Sequence, residues 1–114
     1  MEESRRQKRV SSLIKEELSR LFIQSFQDSS SGLITVTRVS MSADLKTAYV
    51  DLSILGSGSK EEIFDLINKR RSYLRKIIAS KTKLKYNPML IFSLDESFDY
   101  EKRIDDLLKK IGKK

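Results

Sequence analysis

The chain has 114 residues, 39% of them hydrophobic and 34% charged, and it carries a net charge of +7 with neither cysteine nor histidine. That is enough for one folded domain, able to bury roughly two-thirds of the surface its unfolded chain exposes. The missing residue types exclude disulfides, thiolate catalysis and Cys-ligated zinc, and they remove the commonest general base and transition-metal ligand.

Between about Ser4 and Phe26, the residues Val10, Leu13, Ile14, Leu18, Leu21 and Phe22 fall on one side of a helix. The turn formers of "QDSSSG", Gln27 to Gly32, end it. "LITVTRVSMS" then alternates, with Leu33, Thr35, Thr37, Val39 and Met41 on one face and Ile34, Val36 and Arg38 on the other. This period of two, with its β-branched residues, predicts a strand. After the turn "ADLK", "TAYVDLSIL" resumes alternation with Ala48, Val50, Leu52 and Ile54 on one face, so the two strands form an antiparallel hairpin.

Ser59 and Glu62 are spaced as a capping box for the next helix, whose apolar residues Ile63, Leu66, Ile67, Leu74, Ile77 and Ile78 carry the helical period to about Ser80. "KLKYNP" breaks it, and "MLIFSL" suits a third strand, which a helical crossover places parallel to its neighbour. Tyr100, Ile104, Leu107, Leu108 and Ile111 predict a C-terminal helix ending in a frayed basic tail at 112–114. The order predicts a single α+β domain spanning 1–114, with helices on one face of a three-stranded sheet.

The middle helix contains the chain's most unusual stretch. From Lys69 to Lys85 there are eight cations (Lys69, Arg70, Arg71, Arg75, Lys76, Lys81, Lys83 and Lys85), and no acid occurs from Asn68 to Leu94. Ordinary solvated helices intersperse both signs, which also stabilises them through i,i+4 pairs, so this run reads as a surface for phosphates. A second group, Arg5, Arg6, Lys8 and Arg9, precedes the core face of the first helix and would extend the patch if it docks beside the first. Arg70 falls within the apolar stripe on a helical wheel, where an unpartnered guanidinium is costly to bury. Either the helix breaks near Arg70, Arg71 and Ser72, or Arg70 snorkels from the helix edge.

A membrane partner is disfavoured: the only apolar stripe is the one the core needs, and no apolar run approaches the roughly 20 residues that span a bilayer. "MEESRRQKRV" lacks the apolar core of a secretory signal, so a cytoplasmic protein is expected. Asp95, Glu96 and Asp99 suit a strand end and a first helical turn better than a metal site. "GSG" at Gly56 to Gly58 lacks the Lys-Ser/Thr of a phosphate loop. Tyr49, Tyr73 and Tyr100 offer either packing or base stacking.

Four stretches together resemble the ribosome-binding factor A family. They are "RRQKRVSSLIKEELSRL", "ITVTRVSMSADLKTAYVDLSIL", "LINKRRSYLRKIIASK" and "NPMLIFSLDESFDYEKRIDDLL". The resemblance implies a KH-like fold of the type II arrangement. It also implies a non-enzymatic assembly factor, active in late maturation of the small (30S) subunit and in cold adaptation. The implied partner is 16S rRNA within the free small subunit, with no cofactor; no metal or small-molecule substrate is expected, and nothing in the sequence demands more than a monomer. In place of the GXXG loop of KH domains, the family has an interrupted helix with an Ala-x-Gly element. Aligned on Tyr73-Leu74-Arg75, that element falls at Arg70 to Ser72, where this chain has Arg, Arg and Ser. The alternative function is a basic module that docks an acidic protein, with RNA binding incidental.

Overall fold

The computed structural model describes residues 3–25, 33–55 and 59–95. Helix α1 (Arg5–Ser25) leads into strands β1 (Leu33–Met41) and β2 (Thr47–Leu55), followed by helices α2 (Lys60–Lys69) and α3 (Arg71–Lys81) and strand β3 (Met89–Leu94). The sheet order is β1-β2-β3, with β1 antiparallel and β3 parallel to the central β2. The parallel pairing follows from the α2–α3 crossover, because only a connection of that length can return the chain to start in the same direction. The expected C-terminal helix through Tyr100 and Ile111, the tail at 112–114, Glu96 and Asp99, and the 56–58 loop all lie outside the described residues.

Helices α1 and α2 start on side-chain caps. Ser4 caps α1: its Oγ accepts from the Gln7 N–H at 3.1 Å, while Gln7 Oε1 accepts from the Ser4 N–H at 2.7 Å. This reciprocal pair satisfies two donors that a helix start leaves open. Gln7 Nε2 also donates to the Met41 carbonyl, tying the start of α1 to the end of β1. At α2, Ser59 Oγ accepts from the Glu62 N–H and donates to the Glu61 carboxylate, both at 3.3 Å.

The strict alternation expected of β1 holds only to Val36. Register shifts between Val36, opposite Leu52, and Arg38, opposite Asp51, so Thr37 is an extra residue and the buried side continues through Val39 and Met41. The strand thereby keeps Ile34, Val36, Val39 and Met41 all facing the core, which a flat two-residue period would not allow. Thr37 Oγ1 reaches Asp95 Oδ2 at 2.8 Å and the Asp51 carbonyl at 3.2 Å, and the Asp95 N–H donates to the Leu52 carbonyl. Asp95 thus ties the end of β3 across the sheet to the bulge.

One core joins the three helices to the sheet, with Ile14 and Leu18 of α1, Val50 and Leu52 of β2, Ile67 of α2, Leu74 and Ile78 of α3, and Leu90 of β3 fully buried. Leu74 sits where α3 presses on this core at 0% exposure. Leu74→Ala is expected to lower the unfolding free energy by about 3 kcal/mol, through lost transfer energy plus the residual cavity. A urea titration at unchanged slope checks this; a loss below about 1 kcal/mol would place Leu74 outside the main core.

Candidate nucleic-acid interface

The helical stripe is interrupted at Arg70, the C-cap of α2 and N-cap of α3, with φ −98° and ψ 13°. These angles lie in the sparsely populated bridge region. The Arg70 N–H is shared between the Leu66 and Ile67 carbonyls at 3.2 and 3.1 Å, and the Arg70 carbonyl accepts from the Leu74 N–H at 2.9 Å. Hydrogen bonding therefore passes through the junction while its direction changes over one residue. Arg71 and Ser72 are already the first residues of α3. Ile67 and Leu74 are fully buried on either side of the junction, and Arg70 is exposed.

Lys69, Lys76, Lys81, Lys83 and Lys85 are exposed, as are Arg5, Arg6, Lys8 and Arg9, while Arg71 and Arg75 are half-buried. Arg75 has a different occupation from its neighbours. Its Nε donates to the Pro88 carbonyl at 3.0 Å and its Nη2 to the Asn87 carbonyl at 2.6 Å. The guanidinium fork therefore clamps the α3–β3 connection (residues 82–88) onto α3.

The start of α1 meets the connection that follows α3, whereas Glu17 to Gln24 of α1 line a second groove with Tyr73, Ile77, Ser80 and Lys81. The two helices are thus antiparallel. The 11 residues of α3 put about 16 Å between the Arg70 junction and the Lys81 end. The N-terminal cations consequently join Lys83 and Lys85, not the cluster at Lys69 to Arg71. Lys81 stands beside Arg20, whose bonds to Glu16 and Glu17 are exposed ion pairs worth little to stability.

Around the Lys83–Lys85 end lies a cleft of about 290 Å³ with Arg6, Arg9, Lys83 and Lys85 in its lining. The remaining lining is apolar or aromatic: Val10, Leu13, Leu45, Leu84 and Tyr86. Helical periodicity places Leu13 in the core, but it is 41% exposed and belongs to this wall. Tyr86 also escapes the sequence reading, although an aromatic between Lys85 and Asn87 in an acid-free stretch is its available signal. The ammonium groups of Lys46 and Lys85 each lie 5.5 Å from its ring centroid.

The β1–β2 turn completes the cleft. Asp44 Oδ1 accepts from Ser42 Oγ at 2.7 Å and the Lys46 N–H at 3.0 Å, and the Leu45 N–H donates to the Ser42 carbonyl. Chiefly the Ser42 hydroxyl, and then the Lys46 N–H, hold the Asp44 carboxyl below its ordinary value of 3.8. Because the folded value is depressed, this turn's stabilisation is present above the unfolded pKa and is lost as pH falls through the folded one. The stability difference between the native chain and Asp44→Asn is therefore expected to be flat near neutrality and to shrink below the ordinary carboxylate range. Thermal unfolding at stepped pH reads it, and a difference that grows on acidification would contradict the assignment.

Three or more His, Cys, Asp or Glu side chains grouped as metal ligands do not occur among the described residues. No described helix is long and apolar enough to cross a membrane. Helix α1, the hairpin, the broken helix pair and the parallel third strand define a KH-like α+β module, here with a basic surface along α3 and around its C-terminal end.

The family model described as Ribosome-binding factor A matches residues 6–108. A ribosome-binding factor A of Coxiella burnetii (strain CbuG_Q212) is 40% identical over 111 residues, covering 97% of this chain and 93% of the relative. The crystal structure of ribosome-binding factor A from Thermus thermophilus aligns with a TM-score of 0.67 at 20% identity, covering 77% of this chain and 94% of that one. A Thermus thermophilus homology model fitted into the cryo-EM map of a 30S complex with that factor aligns at 0.63 and 18% identity, covering 83% and 97%. This chain belongs to the ribosome-binding factor A family.

Proposed function

We propose that the chain is a non-enzymatic assembly factor of the small ribosomal subunit, acting in the cytoplasm as a single module over residues 1–114. It binds 16S rRNA in the free subunit during late maturation and supports growth in the cold. The observation that carries the reading is the acid-free run from Asn68 to Leu94, displayed largely on the surface of a chain of this family. Lys69, Arg70, Arg71 and Lys76 supply phosphate contacts on one side of the surface, and Lys81, Lys83, Lys85, Arg5, Arg6, Lys8 and Arg9 supply them toward the other. Arg75 contributes through the connection it clamps. The factor works by occupancy, holding one RNA conformation or blocking a premature one until it leaves. The Thermus thermophilus factor fitted into a 30S complex supports the same partner here.

Cosedimentation with purified free small subunits tests this. Binding is expected to weaken steeply as salt rises, with a log-log slope of about −0.7 for each phosphate contact on single-stranded RNA, and to disappear after nuclease digestion. Binding that survives RNA removal would instead identify an acidic protein as the partner.

A further inference from the structure

We propose that the cleft at the start of α1 is a single-nucleotide pocket, which takes one unpaired RNA base against Leu45, Leu84 and Tyr86 and its flanking phosphates on Arg6, Arg9, Lys83 and Lys85. The inference rests on the RNA-binding function proposed above and assigns a second, chemically different part of the surface to it. Along α3 only Lys81 borders the groove shared with Arg20, Tyr73 and Ile77, whereas the cleft at the start of α1 gathers four cations. The cleft is concave, and its volume of about 290 Å³ sits at the small end of ligand pockets, roughly 300–1,000 Å³. That suits one nucleotide and is too small for a helix or folded peptide.

The lining divides by chemistry as a nucleotide does. Apolar surface from three separated parts of the chain, α1, the β1–β2 turn and the α3–β3 connection, converges on the floor, while four cations from the first and last of these stand around it. An apolar wall alone would name no occupant, but four positive side chains at its edge select a polyanion that carries flat apolar rings. A neighbouring hollow of about 220 Å³ shares Arg6, Leu45, Lys85 and Tyr86 with the cleft and extends it past Asp44 into a trough. The trough lets a backbone pass on either side of the inserted base. Base stacking on Tyr86 displaces one of the two ammonium groups now 5.5 Å from the ring, and that lysine turns to the adjoining phosphate.

The backbone shapes one wall of the cleft. Leu45 has φ 63°, the only positive value at a non-glycine residue among those described. This region costs a branched side chain about 1 kcal/mol or more, and Asn or Gly would occupy it more easily. The strain is held by the Ser42–Asp44–Lys46 bonds, and it places an isobutyl group in the lining of the cleft. The hairpin itself sets this angle, because Leu45 closes the Ser42–Leu45 β-turn through its N–H to the Ser42 carbonyl.

The test compares a short single-stranded RNA with the same strand made abasic at one central position, by fluorescence anisotropy over a salt series. Leu45→Asn combined with Tyr86→Ser removes the floor without changing charge, and Asn suits the positive φ. The native chain is expected to bind the intact strand roughly tenfold tighter than the double variant does, with equal salt slopes, and the abasic strand is expected to bind both alike. In the native chain, NMR signals of Leu84 and Tyr86 shift with the intact strand and not with the abasic one, which needs no variant at all. Equal affinity of the native chain for the two strands, with a steep salt slope retained, overturns the pocket and leaves RNA binding standing. A polyglutamate peptide that shifts Leu84 and Tyr86 as the RNA does also overturns it, by assigning the cleft to a protein. Salt-independent or undetectable RNA binding by the native chain removes the proposed function and the pocket together.

Discussion

Changing Lys69, Arg70, Arg71 and Lys76 together to glutamine is expected to weaken binding to the free small subunit by about a hundredfold near physiological salt, and to flatten the log-log salt slope by roughly 2 to 3. The four lie on the α2–α3 junction and the face of α3, and three of them are exposed, so their removal leaves the core intact. Unfolding free energy should consequently stay within about 0.5 kcal/mol of the native chain, as for other surface changes. Arg70 and Arg71 can each hold two phosphate oxygens with a planar fork, whereas lysine acts as a point charge. Replacing only Arg70 and Arg71, each by lysine, is therefore expected to keep the salt slope but only part of the affinity. Unchanged affinity and slope in a folded quadruple variant would remove the broken helix from the RNA-binding surface.

Arg75 is expected to behave in the opposite way. Its two bonds to the Asn87 and Pro88 carbonyls are charge-assisted, a class worth roughly 1.5–3 kcal/mol each when well formed. One of the pair is exposed, which discounts it, so Arg75→Gln should cost about 2 kcal/mol of stability and open the 82–88 connection to protease. Lysine does not rescue it, because a single ammonium cannot span two neighbouring carbonyls as the guanidinium fork does. Binding falls indirectly, as Lys83, Lys85 and Tyr86 lose their fixed positions, and the salt slope at saturating fold should change by less than that of one contact. A variant that keeps full stability but loses a whole phosphate contact would return Arg75 to the direct set.

Much of this was legible because the hydrophobic periods are strong. The apolar residues of β2 and the third strand's six residues appear where alternation and turn residues place them. Arg70 was conspicuous because a cation interrupted an otherwise regular stripe, and the boundary between α2 and α3 falls on it. The bulge at Thr37 was not legible, because an extra residue costs nothing in local propensity and shows only in the register against β2. Nor was the exposure of Leu13, since periodicity says which side of a helix is apolar but not where its neighbour stops covering it. The division of labour among the cations was hidden for the same kind of reason. Arg75 and Lys76 are adjacent in a uniformly basic stretch, yet only the path of residues 82–88 decides which guanidinium meets backbone carbonyls.

Photocrosslinking from a benzophenone side chain at position 70, and separately at position 76, in the protein bound to free small subunits tests most directly whether the basic helix contacts RNA. Crosslinks from both positions to nearby 16S rRNA nucleotides, lost when salt releases the protein, are the expected result. Crosslinks only to ribosomal proteins, at full occupancy and from both positions, would contradict it.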